Sequence, residues 1–124
     1  MGEVRVRQAA AGDVLIVAAL RLQAARALGA GPEPGFLDRF ARVWDAESDP
    51  TWVAELDGSH AGVLITRSVP PLPWPGVAAY EGGHLLVSTL FVAPAHAGRD
   101  VAQALTVAMT TWASERGLAL TGDP

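Results

Sequence analysis

The residues from His84 to Arg116 combine an apolar strand, a loop of small residues and the start of a helix. The letters read HLLVSTLFVAP, then AHAGRDVA, then QALTVAMTTWASER. The N–H groups in the first turn of a helix have no partner within the helix, and with the helix dipole they attract anions. Main-chain donors from Ala97 to Ala102, with the positive charge of Arg99 beside them, are therefore suited to hold a pyrophosphate. The pattern indicates a phosphate-binding loop.

The composition excludes several other kinds of chemistry. The chain has no cysteine, which excludes disulfides, thiolate catalysis and cysteine-ligated zinc. All nine basic residues are arginine, so no lysine can form a Schiff base or act as a general base. The three histidines lie too far apart in sequence to show metal-ligand spacing, and we expect no metal.

Charge and hydropathy also limit the partners. A formal net charge of −4 and dispersed arginines argue against nucleic acid. No apolar run reaches the ~18 residues of a membrane span, because Arg21 interrupts the longest run, which begins at Val14. The opening letters MGEVRVRQ alternate charge and valine, unlike a signal peptide. We expect a cytoplasmic protein without a membrane partner.

These residues must be positioned by a sheet with helices on its faces. Alternating polarity predicts strands, apolar recurrence at offsets of three and four predicts helices, and Asp57-Gly58-Ser59 predicts a hairpin turn. The predicted strands cover residues 4–8, 51–56, 61–67, 84–92 and 118–121, and the predicted helices cover 12–28, 36–44 and 99–116. The order βααβββαβ predicts an α/β (α+β) fold with a mixed sheet, in a single domain over residues 1–124. The last strand should run parallel to strand 84–92 after a right-handed crossover.

Several fragments in this order resemble the GNAT superfamily of N-acetyltransferases. Arg7-Gln8-Ala9 followed by Asp13 resembles the family's opening strand and first helix, and WVAELDGSHAGVLI (residues 52–65) resembles its central hairpin. The run LFVAP (residues 90–94) resembles the end of its fourth strand, and helix 99–116 corresponds to its CoA helix. The resemblance covers nearly the whole chain. It implies a GNAT-like fold that binds acetyl-CoA and transfers the acetyl group to a small-molecule or peptide amine.

The resemblance also implies which residues contact the cosubstrate. They are Leu90, Phe91, Val92, Ala97, Gly98, Arg99, Asp100, Val101 and Ala102. The family's loop typically reads Arg/Gln-x-x-Gly-x-Gly/Ala, and this chain has Ala97 and Asp100 at its first two defined positions. A carboxylate ~6 Å from a phosphate charge costs ~3 kcal/mol at an effective dielectric of ~20. The Asp100 side chain would also serve as an N-terminal cap, and an occupied cap would leave fewer donors for a phosphate.

The same resemblance assigns the chemistry to the strand. The main chain of residues 90–92 would orient the thioester and donate a hydrogen bond to its carbonyl oxygen. Many family members have a carboxylate base on this strand, whereas this chain reads Val87-Ser88-Thr89. We predict His84 and Glu81 as catalytic residues acting through water, and prefer His84 because a neutral imidazole is a competent base near pH 7. The alternative is a strand-end histidine that only hydrogen bonds a carbonyl.

The chain also departs from the family pattern in its C-terminal part. Members typically continue through a fourth helix and two more strands, where a tyrosine often acts as general acid. This sequence stops at Pro124 and its only tyrosine is Tyr80. We therefore expect those elements to be missing and a homodimer to cover the open sheet edge. Two alternatives to an active acetyltransferase remain: a catalytically inactive GNAT-fold module for dimerisation or ligand binding, and a binder of a different small ligand beside strand 84–92.

Overall fold

The computed structural model describes residues 3–69, 72, 75–76, 83–98 and 100–121. Within these residues the strands are β1 (Arg5–Gln8), β2 (Thr51–Leu56), β3 (Ser59–Val69), β4 (His84–Val92) and β5 (Ala119–Thr121), and the helices are α1 (Val14–Ala27), α2 (Phe36–Val43) and α3 (Val101–Glu115). The predicted order βααβββαβ is confirmed. None of the helices in these residues is long and apolar enough to cross a membrane.

The strands form one mixed sheet in the order β1-β2-β3-β4-β5. Neighbours from β1 to β4 are antiparallel, and β5 runs parallel to β4. The parallel pair is confirmed as predicted from the crossover through α3. The sheet therefore has one strand, β4, with an antiparallel neighbour on one side and a parallel neighbour on the other.

The hairpin between β2 and β3 is tighter than the sequence predicted. Asp57 and Gly58 have φ angles of 53° and 79°, the left-handed values that a two-residue hairpin turn requires. Ser59 belongs to the strand instead of the turn and pairs with Leu56. As a result β3 begins two residues before the predicted start at Ala61.

Helices cover both faces of the sheet, and the core lies in two layers. On what we call the α3 face, Leu105 and Met109 pack with Leu64 and Leu85. On the α1 face, Val17 and Leu20 of α1 pack with strand residues of β2 and β3, namely Val53, Val63 and Ile65. In the α3-face layer Trp52 and Trp112 meet edge to face, with ring centroids 5.7 Å apart.

Gly62 of β3 allows α3 to approach the sheet closely. A Cβ atom at this position would lie 2.7 Å from the carbonyl oxygen of Phe91 and 3.0 Å from Cγ1 of Val101. Both distances are shorter than ordinary van der Waals contact. The absence of a side chain therefore brings the first turn of α3 against the end of β4, where the predicted phosphate loop lies.

Candidate functional site

A β-bulge interrupts β4 at Ser88. Thr66 of β3 pairs with Val87 and the neighbouring Ile65 pairs with Thr89, so Ser88 has no residue opposite it. A bulge leaves the extra residue unpaired and disrupts the ladder locally. Main-chain groups near Ser88 are therefore available to a ligand.

The bulge also changes the phase of the strand. Leu85 and Val87 pack on the α3 face before the bulge, and Val92 packs there after it. Phe91 packs on the α1 face. In a regular strand successive side chains alternate between the two faces. Val87 and Val92 are five positions apart and would lie on opposite faces without one extra residue between them. The sequence alone does not reveal this change, because the pairing with β3 decides which residue is left unpaired.

The edge of β4 opens from Val87 onward. β5 pairs with β4 only from His84 to Leu86. Beyond that point the side of β4 away from β3 has no strand partner within the described residues. Open strand edges present N–H and C=O groups that bind an extended chain containing amides. The open edge and the bulge lie on the same stretch of β4.

The loop after β4 leads into α3 through left-handed backbone. A 3₁₀ turn covers Pro94–His96, and Gly98 and Asp100 then have φ angles of 81° and 61°. Asp100 holds the N-cap position of α3, but its side chain makes no capping hydrogen bond. The prediction that this carboxylate occupies the helix donors is wrong, because capping side chains require extended backbone and Asp100 is left-handed.

The other residues predicted to contact the cosubstrate lie at the end of β4 and around this loop. Leu90 is 40% exposed on the open part of β4, whereas Val101 is 1% exposed and can offer only its main chain. Arg99 lies outside the described residues. The structure thus places the described members, Leu90, Phe91, Val92, Ala97, Gly98, Asp100, Val101 and Ala102, along one continuous segment from strand to helix.

The predicted base His84 lies at the other end of the strand. It is exposed and is the first residue of β4, and Glu81 lies outside the described residues. Ser88 lies four positions after His84 along the strand, about 13 Å at the usual rise. The structure does not bring His84 to the bulge, so proton transfer between them requires a chain of water molecules. Its catalytic role stays a prediction.

Arg21 of α1 reaches the bulge, and the sequence analysis did not identify it as a site residue. Its Nη1 donates to Oγ of Ser88 at 3.2 Å and also to Oγ1 of Thr89. Among the described residues Arg21 forms no salt bridge, so no carboxylate of these residues balances its positive charge beside the bulge. The available signal is an arginine inside the long apolar run of α1.

Two pockets meet at Arg21 and Ser88. The α2 pocket, of about 260 Å³, lies between α2 and strands β3 and β4. The α1 pocket, of about 500 Å³, lies between the second half of α1 and residues 88–91 of β4. Arg21 and Ser88 line both. Reacting groups held in the two pockets can therefore come together beside the bulge.

Two further arginines of the α2 pocket are neutralised by carboxylates. Arg67 donates through Nε to the buried carboxylate of Asp49 at 2.8 Å. Arg39 donates two hydrogen bonds to Glu33 at 2.7 and 2.8 Å, and this contact lowers the pKa of the Glu33 carboxyl. Arg21 is the one arginine of this pocket without a carboxylate partner in the part of the chain that the structure describes.

The apolar wall of the α2 pocket is fixed to the sheet. Phe40 stacks on Trp44 with ring centroids 6.3 Å apart. Trp44 donates its Nε1–H to Oγ1 of Thr51 at 3.1 Å, and the Thr51 hydroxyl donates to the carbonyl of Asp49 at 2.7 Å. These bonds join the end of α2 to the start of β2, so the aromatic wall has a defined position.

The fold is similar to several solved acetyltransferase structures. It matches the ribosomal-protein-alanine N-acetyltransferase from Brucella melitensis biovar Abortus 2308 with 23% identity and a TM-score of 0.73, over 96% of this chain and 80% of that chain. It matches a predicted acetyltransferase with acetyl-CoA from Clostridium acetobutylicum with 14% identity and a TM-score of 0.77, over 96% and 79%. An aminoglycoside N-acetyltransferase in complex with CoA matches with 19% identity and a TM-score of 0.69, over 100% and 80%.

No curated protein matches the chain significantly. The model of the family described as "Acetyltransferase (GNAT) family" matches residues 17–122. That range contains most of α1 and every later helix and strand, and with them the bulge, the open edge of β4 and the loop before α3. The resemblance found in the sequence is confirmed: this chain belongs to the acetyltransferase (GNAT) family.

Proposed function

We propose that this protein binds acetyl-CoA and transfers the acetyl group to an amine. The observation that carries the proposal is the meeting of two pockets at the bulged residue Ser88, beside the open edge of β4. A transfer reaction requires both substrates to be held at one point in a defined orientation. The open edge and the two pockets offer such a point.

Acetyl-CoA would follow the segment from the α3 loop to the bulge. Its pyrophosphate would accept hydrogen bonds from main-chain N–H groups in the first turn of α3, whose donors the Asp100 side chain leaves free. Its amide-containing arm would hydrogen bond to the open edge of β4 between Val87 and Val92. The ligands named for two similar structures, acetyl-CoA in one and CoA in the other, support this assignment.

The chemical step is direct attack of the amine on the thioester. The neutral amine nitrogen forms a bond to the carbonyl carbon, the C–S bond breaks, and the thiolate of CoA leaves and takes up a proton. The amine loses one proton, which His84 or Glu81 would accept through water. A main-chain N–H freed at the bulge would donate to the carbonyl oxygen as negative charge develops there.

The inactive-module alternative gains no support from the described residues. The departures at Ala97 and Asp100, the C-terminal elements expected to be missing and the lack of a strand carboxylate suggested it, and the structure removes one of these arguments, because the Asp100 side chain does not occupy the helix donors. The homodimer, the cytoplasmic location and the absence of a nucleic-acid partner stay predictions.

Titration calorimetry and thermal unfolding with acetyl-CoA test the proposal. Free ligand at about 100 times Kd should stabilise the folded protein by about 2.7 kcal/mol, and release of the CoA thiol should then depend on an added amine. The absence of both binding heat and a shift in Tm at millimolar acetyl-CoA would contradict the proposal. Binding without thiol release for any amine would instead support a CoA-binding module.

A further inference from the structure

The charge balance of the α2 pocket bears on the acceptor. Arg39 and Arg67 have carboxylate partners, whereas Arg21, among the described residues, hydrogen bonds to the hydroxyls of Ser88 and Thr89 alone. Arg21 is half-buried, and a half-buried cation is stabilised by an anion that replaces its lost hydration. A ligand with a negative group would supply this anion.

The free donors of Arg21 suit a carboxylate. Only Nη1 is engaged, while Nε and Nη2 have no acceptor among the described residues. A guanidinium binds a carboxylate through two parallel hydrogen bonds, a geometry that neutral acceptors do not match. Because Nη1 lies 3.2 Å from the Ser88 hydroxyl, such a carboxylate would lie close to the bulge. Its amine must then be linked to it by very few bonds.

The α2 pocket is small and has one apolar wall, beside the ion pairs of Arg39 and Arg67. Phe36 and Phe40 have ring centroids 5.9 Å apart, and Phe40 stacks on Trp44. The volume of about 260 Å³ lies below the roughly 300–1,000 Å³ of drug-sized ligand sites. These walls favour a compact apolar group, and Arg21 would repel a polycationic amine such as an aminoglycoside.

We infer that the acceptor is an apolar α-amino acid whose free carboxylate is bound by Arg21. This inference rests on the proposed function and specifies its acceptor. The side chain lies against Phe36, Phe40 and Trp44, the carboxylate pairs with Arg21, and the α-amine, one carbon away from the carboxylate, is directed to the bulge at Ser88. The amine nitrogen then attacks the thioester as described above, and the carboxylate takes no part in the bond changes.

The test compares L-phenylalanine with L-phenylalaninamide, which has the same side chain and amine but no carboxylate. Thiol release gives kcat and KM for both acceptors in the wild type and in Arg21→Gln. We expect the substitution to lower kcat/KM for phenylalanine about ten- to hundredfold, mainly through KM. The amide should change less than about threefold. The ratio of kcat/KM for phenylalanine to kcat/KM for the amide is compared between wild type and Arg21→Gln. This comparison cancels the different intrinsic reactivity of the two amines.

Arg21→Lys and Arg26→Gln serve as matched variants. Arg21→Lys keeps the charge but cannot bind a carboxylate in a bidentate manner. Its kcat/KM for phenylalanine should lie between those of the wild type and Arg21→Gln. This variant also replaces Arg21→Gln if the latter fails to unfold cooperatively. Arg26 lies on the same helix and lines neither pocket, so Arg26→Gln should leave both acceptors unchanged.

Each result has a defined meaning. An equal fall of kcat for both acceptors in Arg21→Gln would show that Arg21 acts on the thioester and would overturn the inference. A wild type that prefers the amide or kanamycin as acceptor would also overturn it. In both cases the proposed function stays intact. If acetyl-CoA neither binds nor releases thiol, the proposed function fails. Calorimetry with phenylalanine, with and without CoA, then decides alone: binding that requires Arg21 supports the carboxylate site, and no binding overturns it.

Discussion

Asp100 affects the phosphate loop in two ways that substitutions can separate. Its φ of 61° is a left-handed conformation that glycine adopts freely and that aspartate and asparagine tolerate better than most residues. Its carboxylate also places a negative charge at the start of α3, where a pyrophosphate would bind. The first effect concerns stability and the second concerns ligand affinity.

We predict that Asp100→Asn strengthens acetyl-CoA binding about three- to tenfold, since it removes the charge and keeps the backbone preference. The gain is smaller than ~3 kcal/mol would give, because Asp100 is exposed and solvent screens its charge. Asp100→Gly should show a similar gain in affinity and a stability higher by roughly 0.5–1 kcal/mol, because the left-handed backbone no longer opposes a Cβ atom. Calorimetry and urea unfolding measure the two effects. Glu47→Gln, which removes one exposed negative charge on another loop, should change neither.

Gly62 sets the distance between α3 and the sheet. A Cβ atom would meet the Phe91 carbonyl at 2.7 Å, a main-chain atom that cannot rotate away. We expect Gly62→Ala to lower the free energy of unfolding by about 1–3 kcal/mol, the range for overpacked sites. Gly31→Ala is the control, because a Cβ there would meet nothing within 4 Å. Equal urea midpoints for the two variants would contradict this account.

At the scale of elements, β4 carries both the core packing and the candidate site, and its bulge separates the two roles. Without Ser88, the pairs Thr66 with Val87 and Ile65 with Thr89 would become consecutive. Val87 and Val92 would then keep their places on the α3 face in regular alternation. The fold does not require the extra residue, whereas the proposed chemistry does.

We therefore predict that deletion of Ser88 leaves a folded protein within about 1 kcal/mol of wild-type stability, with acetyl-CoA affinity reduced at least about tenfold. Deletion of Val87 is the matched control. It also closes the bulge but places Ser88 at the apolar position of Val87, so it should be less stable by about 1 kcal/mol more. Unfolding curves and calorimetry give both quantities. Unchanged ligand binding after deletion of Ser88 would show that the bulge has no role.

Sequence patterns predicted the elements better than their interactions. The bounds of β2 and β4 agree with the prediction, because turn residues and proline mark the ends of both strands. The bulge at Ser88 depends on pairing with β3, and the residue types of β4 alone do not reveal it. Arg21 contacts Ser88 across 67 positions, a distance over which local periodicity has no information. The Asp100 cap failed for a related reason, since its left-handed backbone is not encoded by residue type alone.

At the scale of the whole molecule, stability in acid depends on the ion pair that joins β1 to the start of α1. Both Nη atoms of Arg7 donate to the Asp13 carboxylate, at 2.8 and 3.0 Å, and Asp13 also accepts the N–H of Ala10 at 2.8 Å. These bonds, the Arg7 contact first, lower the pKa of Asp13. A group with a lowered pKa stabilises the fold above its unfolded pKa and loses that contribution as the pH falls through the folded value.

We expect Asp13→Asn to be less stable than the wild type by about 1 kcal/mol near pH 7. The difference should remain constant down to about pH 3.9, the unfolded pKa of aspartate, and shrink below it. Urea unfolding across this pH range measures it, with Glu47→Gln as control. A difference that grows as the pH falls would have the wrong sign for this ion pair.

Trp44 gives the molecule a built-in optical reporter. Its indole lines the α2 pocket, whereas Trp52 and Trp112 pack in the α3-face layer and Trp74 lies outside the described residues. An acceptor in this pocket would displace water from the Trp44 ring and shift its emission to shorter wavelength. Ligands confined to the α3 loop would leave that ring in its present surroundings. Unlabelled protein could thus be screened for acceptors by intrinsic fluorescence, before any product is detected.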